Sequence, residues 1–155
     1  MRRALVLIVC AGVVGVLASS GGARPEKDFT LCPQQIHHGP YLKWTLTIPG
    51  QAALHLSGTT WTVVAVGGMK CSKAMTVARW LLDKKRFAAA SKAFANQYKP
   101  PYKGFDTCTL ERTNGQVNCY DLAKGQDVTA WQTDPVPFSR IKQIAAAGGL
   151  PTPSG

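Results

Sequence analysis

The order of apolar and polar residues predicts β-strands in two early stretches of the chain. Residues 41–48 alternate, so that Leu42, Trp44 and Leu46 share one face of an extended segment. Residues 59–66 are β-branched or aromatic almost throughout and give the strongest strand signal in the sequence. A glycine-containing pair follows each stretch and marks where the strand ends.

A period of about 3.6 residues predicts two consecutive helices after the second strand. The first runs from about Lys70 to Asp83, and its apolar stripe carries Cys71 toward the interior. The second runs from about Lys84 to Tyr98, where two prolines stop it because proline cannot continue a helix. We expect the buried face of this second helix to carry Phe87, Ala90, Phe94 and Tyr98.

An Asn-Gly pair between two alternating stretches predicts a β-hairpin around residues 112–115. If Asn114-Gly115 alone form the loop, Cys108 lies diagonal to Cys119. If all four residues form the loop, the two cysteines face each other directly. Both registers place the two sulfurs on one side of the sheet, because side chains alternate along a strand.

The elements that follow complete a small mixed domain. Residues 128–131 predict a third strand of the same meander, and Ser139 is placed to cap a short helix from Arg140 to Ala147. Taken together, the pattern predicts an α+β fold in which one or two helices pack on a small antiparallel sheet and disulfides stabilise the whole.

The first residues have the composition of a cleaved signal peptide. Arg2 and Arg3 precede an uncharged run over residues 4–17, which is shorter than the ~20 apolar residues that span a bilayer. Small residues follow, and we expect cleavage after Ala23, with Ala18 as the alternative, to release a secreted, extracytoplasmic protein. The chain then divides into a signal peptide at 1–23, an extended arm at 24–40, one α+β domain at 41–147 and a flexible tail at 148–155.

The charge of the mature chain narrows the class of partner. Cleavage removes two of the 18 Lys and Arg and none of the 8 Asp and Glu, so sixteen cations oppose eight anions and the net charge is about +8. Such an excess favours binding to anionic surfaces, namely lipid headgroups, envelope polymers or nucleic acid. The alternative interpretation is that the charge serves only solubility.

A dense basic run carries much of this charge. Aromatic residues interleave with it, and Asp83 is the one acid within it. We interpret the run either as an ordinary solvated helix face or as a surface that binds an anionic polymer or lipid. Export argues against nucleic acid as the primary partner. The candidate binding residues are Arg79, Lys84, Lys85, Arg86, Lys92, Lys99 and Lys103.

Four cysteines remain after cleavage, and an even number in an exported chain predicts two disulfides. They are Cys32, Cys71, Cys108 and Cys119. Three pairings are possible. We place Cys108–Cys119 with Cys32–Cys71 first, and the alternative joins Cys71 to the hairpin. No two of these cysteines form a C-x-x-C pair, so we expect no zinc or other metal site.

The sequence contains no recognisable catalytic motif. It has no nucleophile elbow, zinc-protease helix, phosphate-binding glycine loop or acidic pair suited to glycoside hydrolysis. Asp106 and Glu111 are interpreted as solvated edge residues, and His37, His38 and His55 as surface histidines. We therefore expect no catalytic residue, no cofactor and no enzymatic activity.

Two motifs give the chain a resemblance to a known group of proteins. A helix that reads C-x-x-A-x-x-V-A is matched by Cys71, Ala74, Val77 and Ala78. A following hairpin, one residue longer in its spacing than the usual form, is matched by Gly104, Phe105, Cys108 and Cys119. Over residues 60–131 the pattern resembles small exported actinobacterial proteins, most of them uncharacterised. The resemblance implies a disulfide-stabilised α+β fold and no catalytic residues, and the interval 84–103 is longer here than in that group.

The function predicted from the sequence is a secreted, non-catalytic binding or cell-envelope-associated module with a cationic face. Its expected partner is an anionic envelope polymer or lipid surface, or an extracellular protein. The alternative is a secreted inhibitor or regulator of another extracellular protein, acting through an exposed loop such as 97–104. A small extracellular hydrolase with an unrecognised site is the third hypothesis.

Overall fold

The computed structural model describes residues 29–148, so the predicted signal peptide at 1–23 and the tail beyond Gly148 lie outside the described residues. Within them the chain forms seven strands, three helices and one 3₁₀ turn at Phe94–Asn96. The strands are β1 Phe29–Ile36, β2 Leu42–Leu46, β3 Leu54–Gly58, β4 Trp61–Val66, β5 Thr107–Glu111, β6 Gln116–Asp121 and β7 Gln126–Gln132. The helices are α1 Cys71–Leu81, α2 Lys84–Lys92 and α3 Phe138–Ala146.

Five of the strands form one antiparallel sheet in the order β1-β4-β7-β6-β5. β2 and β3 form a separate two-stranded hairpin. Together with the helices and two disulfides, this is the α+β fold that the sequence predicts. The turn between β5 and β6 uses four residues, so Cys108 and Cys119 are direct cross-strand partners.

The large sheet carries an apolar core on each of its faces, because neighbouring residues of β4 point in opposite directions. On the face of Val63 and Ala65, the core is completed by α1 and α2 and includes Val77, Leu81, Phe87 and Val117. On the face of Val64 and Val66, it is completed by the β2–β3 hairpin and α3 and includes Trp44, Leu56, Trp131 and Ile141. Each fully buried aliphatic or aromatic side chain stabilises the fold by roughly 1.5–3 kcal/mol relative to an exposed one. Burial on both faces therefore stabilises the sheet.

The arm predicted at 24–40 contains strand β1, which pairs with β4 and forms one edge of the sheet. The pairing shifts register between Leu31 and Gln35, and Pro33 lies within this irregular stretch. Proline has no N–H to donate to a ladder, so an irregular edge strand accommodates it. The sequence of this segment shows no alternation of apolar and polar residues. The segment forms a strand because it pairs with β4.

The last helix begins earlier than the sequence predicts. α3 starts at Phe138, directly after Pro137, and not at Arg140. Ser139 is exposed inside the first turn and makes no capping hydrogen bond, so the predicted N-cap role of Ser139 is wrong. The apolar side chains of Ile141 and Ile144, which enter the second core, decide where this helix lies.

Candidate functional site

The basic run lies on α1, on α2 and on the loop that leads to β5. α2 begins at a capped end, because the Asp83 carboxylate accepts a hydrogen bond from the backbone N–H of Arg86 at 3.1 Å. Of its nine residues, α2 buries Phe87 and Ala90 against the core. The rest of its surface carries four basic residues, two alanines and Ser91, so the helix presents positive charge and small uncharged side chains to solvent.

All seven candidate binding residues are exposed, and we call this set the basic surface: Arg79, Lys84, Lys85, Arg86, Lys92, Lys99 and Lys103. Arg86 Nη1 lies 3.7 Å from Asp83 Oδ1, which is the one ion pair that the set forms within residues 29–148. An exposed pair of this kind is worth about 0–1 kcal/mol. The positive charge of the basic surface is therefore largely uncompensated by the fold.

Arg79 lies on the side of α1 that faces the Cys32–Cys71 disulfide. It lines a groove of about 440 Å³ beside the Cys32–Cys71 disulfide, together with Gln34 and Thr76. Trp80, the next residue, points to the loop before β5, since successive helical residues lie about 100° apart around the axis. Arg79 therefore borders this groove and is not among the residues whose rings or guanidinium lie against Trp80.

Four aromatic side chains form a continuous group between α1 and the loop before β5. We call Trp80, Tyr98, Tyr102 and Phe105 the aromatic cluster. The ring centroid of Trp80 lies 5.8 Å from that of Tyr98 and 5.4 Å from that of Tyr102, and Tyr102 lies 5.9 Å from Phe105. Trp80 and Tyr102 are half-buried, whereas burial of Tyr98 raises the pKa of its hydroxyl.

Two cations lie against the ends of the aromatic cluster. The guanidinium carbon of Arg86 lies 5.0 Å from the ring centroid of Trp80, and the ammonium of Lys73 lies 5.6 Å from that of Phe105. Both distances are within the range of a cation–π interaction, which extends to roughly 6 Å. The interaction orients Arg86 at the surface. Lys73 is a member of this region that sequence analysis missed.

Lys99 and Lys103 lie on a loop that is fastened at both ends. The N–H of Tyr98 donates to the carbonyl oxygen of Cys108 at 2.9 Å before Lys99. After Lys103, the buried ring of Phe105 closes the loop against the core. Both lysines are therefore exposed on a backbone that the cluster and β5 hold in place.

The second predicted helix is shorter than expected, and this changes the position of Phe94. α2 ends at Lys92, Ala93 is extended, and Ala95 and Asn96 adopt left-handed conformations with φ of 54° and 52°. The helical period therefore breaks before Phe94, whose side chain is 91% exposed. The prediction that Phe94 lies on a buried helix face is wrong, whereas Tyr98 reaches the core from the loop.

The four cysteines form two disulfides in the structure. Cys32 of β1 is bonded to Cys71 at the start of α1, and Cys108 of β5 is bonded to Cys119 of β6. This is the pairing that the sequence analysis placed first. The first bridge fastens the edge strand to α1, and the second lies at the base of the loop that carries Lys99.

A buried polar cluster on the opposite face of the sheet was not predicted. The sequence interprets Glu111 as a solvated edge residue, which is wrong because it is half-buried. Its carboxylate accepts hydrogen bonds from the side-chain amides of Asn114 at 3.1 Å, Gln116 at 2.5 Å and Asn118 at 2.9 Å. Gln116 and Asn118 are fully buried. Their spacing, with Tyr120, places polar residues on one face of β6 and is the signal that sequence analysis overlooked.

The innermost polar atoms of this cluster are buried. Burial raises the pKa of the Tyr120 hydroxyl, and the negative charges of Asp127 and Glu111 raise it further. The Tyr120 hydroxyl, Gln116 Oε1 and Asn118 Oδ1 have no hydrogen-bond partner among the described residues. Because these three atoms are buried, they are not available to a partner.

The three histidines lie on the surface and apart from the cysteines. His37, His38 and His55 are all exposed, and His55 Nδ1 lies 3.2 Å from Thr45 Oγ1 on the paired strand. Over residues 29–148, His, Cys, Asp and Glu side chains form no group of three or more that is placed to hold a metal ion.

Comparison with known proteins gives this chain no relative. No family model matches it, no curated protein matches it in sequence, and no solved structure matches its fold. The resemblance to small exported actinobacterial proteins therefore stays a prediction. Among the described residues, none of the helices has both the length and the apolar character needed to cross a membrane.

Proposed function

We propose that this protein is an extracytoplasmic, non-catalytic binding module whose basic surface binds an anionic surface of the cell envelope. The interval 84–105 carries the proposal, because it contains six Lys and Arg, all exposed, and no Asp or Glu. Exposed charges without local partners attract counter-charges over a screening length of about 8–10 Å in physiological salt. A surface of repeated phosphates or carboxylates has the complementary charge.

The two disulfides support a location outside the cytosol. Structural disulfides persist in oxidising compartments and are rare where cellular thiols are kept reduced. The leader composition of residues 1–23 supports the same location.

The fixed geometry of the basic surface also favours binding. Arg86 is oriented by Trp80 and Asp83, and Lys99 and Lys103 lie on a fastened loop. Ordering flexible segments on association costs free energy, so a surface whose backbone is already fixed binds with a smaller loss.

The proposal is tested by comparing two triple variants that remove the same charge. Lys84→Gln/Lys85→Gln/Lys92→Gln changes the basic surface, and Lys43→Gln/Arg112→Gln/Lys142→Gln changes exposed cations elsewhere. Binding is measured to vesicles that contain anionic phospholipid and to a soluble phosphodiester polymer. Each Lys near an anionic surface is worth about 1 kcal/mol, so the first variant should bind roughly 100-fold more weakly.

Salt dependence and the control variant decide the outcome. The wild-type protein should bind both probes at low salt and weaken steeply as salt is added, because the attraction is screened. The control variant should keep most of its binding. Absence of wild-type binding to both probes at low salt, or equal loss in the two variants, contradicts the proposal.

The fastened loop favours one alternative function, inhibition of an extracellular protein. Lys99 and Lys103 project from a backbone that is held at both ends, which is the arrangement a partner with an acidic pocket would recognise. A serine protease that cleaves after lysine is the probe. Stoichiometric inhibition that is lost in Lys103→Ala and insensitive to salt would favour this alternative over binding to an anionic envelope surface.

A further inference from the structure

Phe94 is the most exposed large apolar side chain among residues 29–148, and it lies within the basic interval. It is 91% exposed, compared with 77% for Leu122, 65% for Tyr41 and 47% for Phe29. Isolated exposed apolar residues are common on protein surfaces. Phe94 differs because of the backbone that holds it and the charge that surrounds it.

The backbone around Phe94 is short and tied at both sides. Ala93 N–H donates to the carbonyl oxygen of Ala89 at 3.1 Å, and Asn96 N–H donates to that of Ala93 at 3.1 Å. Ala95, directly after Phe94, is left-handed with φ of 54°, a conformation that costs free energy in residues other than glycine. The turn therefore holds the phenyl ring outward instead of letting it fold back onto α2.

The surroundings of Phe94 are basic and sterically open. Lys92 and Lys99 flank it in the chain, and no acid lies between residues 84 and 105. The outer residues of the neighbouring helix and turn are small and exposed: Ala88, Ala89 and Ala95. A flat surface can therefore approach the ring and the lysines together.

This inference rests on the proposed function and names the partner class. A phosphodiester polymer offers counter-charge but no apolar phase for a phenyl ring. An anionic bilayer offers both, because lysines bind its headgroups while an aromatic ring enters the boundary between headgroups and acyl chains. We propose that the basic surface binds an anionic lipid membrane, with Phe94 inserted into the interface as its apolar anchor.

The test compares Phe94 with Leu122, an exposed apolar residue that lies outside the basic interval. Leu122 follows Asp121, and its N–H donates to Asp106 Oδ2 at 2.7 Å. In the disulfide-bonded protein, Phe94→Ala should weaken binding to anionic vesicles by about tenfold, as expected for loss of a buried phenyl group. Phe94→Leu should keep most of the binding, and Leu122→Ala should not change it.

A second measurement reports insertion directly. Trp44, Trp61 and Trp131 are buried and Trp80 is half-buried, so quenching is compared with that of the wild type. A tryptophan introduced as Phe94→Trp should add fluorescence that vesicles with brominated acyl chains quench beyond the wild-type level. Leu122→Trp provides the matched control and should not be quenched. Because Phe94 and Leu122 are both exposed, thermal unfolding of all these variants should match the wild type.

The outcomes separate this inference from the function on which it rests. Loss of vesicle binding in Phe94→Ala, with unchanged binding to the soluble phosphodiester polymer, supports membrane insertion. If Phe94→Ala binds anionic vesicles as the wild type does, while the lysine variant does not, the inference is wrong and the proposed function stands. If the wild type binds neither probe, both are wrong.

Discussion

At the scale of single residues, Asp134 shows how one carboxylate closes a turn. Its Oδ2 accepts hydrogen bonds from the N–H groups of Thr59 and Thr60, each at 2.7 Å, and so satisfies two main-chain donors before β4. Burial by itself raises the pKa of Asp134, but a hydrogen bond from the Thr60 side chain, the two main-chain hydrogen bonds and the charge of His37 together lower it by more. The pKa therefore lies below its ordinary value.

This pKa shift predicts an acid-sensitive contribution to stability. A carboxyl whose pKa is lower in the folded than in the unfolded chain stabilises the fold above the unfolded value of about 4, and the contribution is lost as pH falls through the folded value. Asp134→Asn should lower the free energy of unfolding by about 1–2 kcal/mol at pH 7 and make it less dependent on pH under acid conditions. Urea denaturation at neutral and acid pH measures both effects. Parallel pH profiles for the variant and the wild type would contradict this prediction.

Single residues are also where sequence analysis failed. Phe94 fits the helical period, and Glu111 lies beside a polar turn, so both follow their local pattern. The structure exposes Phe94 because α2 ends before it, and it buries part of Glu111 because three amides of the turn and of β6 converge on its carboxylate. The pattern of apolar and polar residues compares positions only a few residues apart. It therefore predicts neither the exposure of Phe94 nor the partial burial of Glu111.

At the scale of elements, sequence analysis succeeded where one face of an element is buried and the other is solvated. α1 and β2 followed their predicted periods, and the hairpin of β5 and β6 followed its turn residues. Strand β1 was not predicted, because its burial pattern is irregular and its partner, β4, is distant in the chain. The basic residues of the candidate site were identified by charge alone, whereas the break that separates Phe94 from α2 has no counterpart in the helical period of the sequence.

The turn between β5 and β6 makes a prediction about Gly115. Gly115 has a φ of 62°, and an added Cβ would collide with the indole of Trp44. Gly125, in the next turn, has a similar φ of 60° but open space around it. Gly115→Ala should therefore cost about 2–3 kcal/mol, and Gly125→Ala about 1 kcal/mol, because only the first adds a clash to the backbone penalty. Chemical denaturation measures the difference, and equal losses would show that the Trp44 contact is unimportant.

At the scale of the whole molecule, the two disulfides constrain different lengths of chain. Cys32–Cys71 links residues 39 apart and holds the edge strand to α1, whereas Cys108–Cys119 links residues 11 apart within one hairpin. Closing a longer loop removes more entropy from the unfolded chain, which gives about 4 and about 3 kcal/mol respectively.

Paired alanine variants test this order. Cys32→Ala/Cys71→Ala should lower the free energy of unfolding by about 1 kcal/mol more than Cys108→Ala/Cys119→Ala, and urea denaturation of the two proteins measures it. The first variant also releases β1 from α1, which lowers its free energy of unfolding further. A larger loss on removing the hairpin bridge would mean that the native contacts of the hairpin, and not loop entropy, decide the order.

The edges of the two outer strands of the large sheet bear on whether copies of the protein aggregate at high concentration. A regular, open strand edge is a template on which a second chain can add a strand and begin fibrous growth. Here β5 is occupied on its outer side by the bridge between Gln97 and Thr109, and β1 is interrupted by Pro33 and a shift in register. Neither outer strand of the large sheet therefore offers a regular open edge to a second copy, and Pro33→Val is the change that would restore a proton donor to the edge at β1.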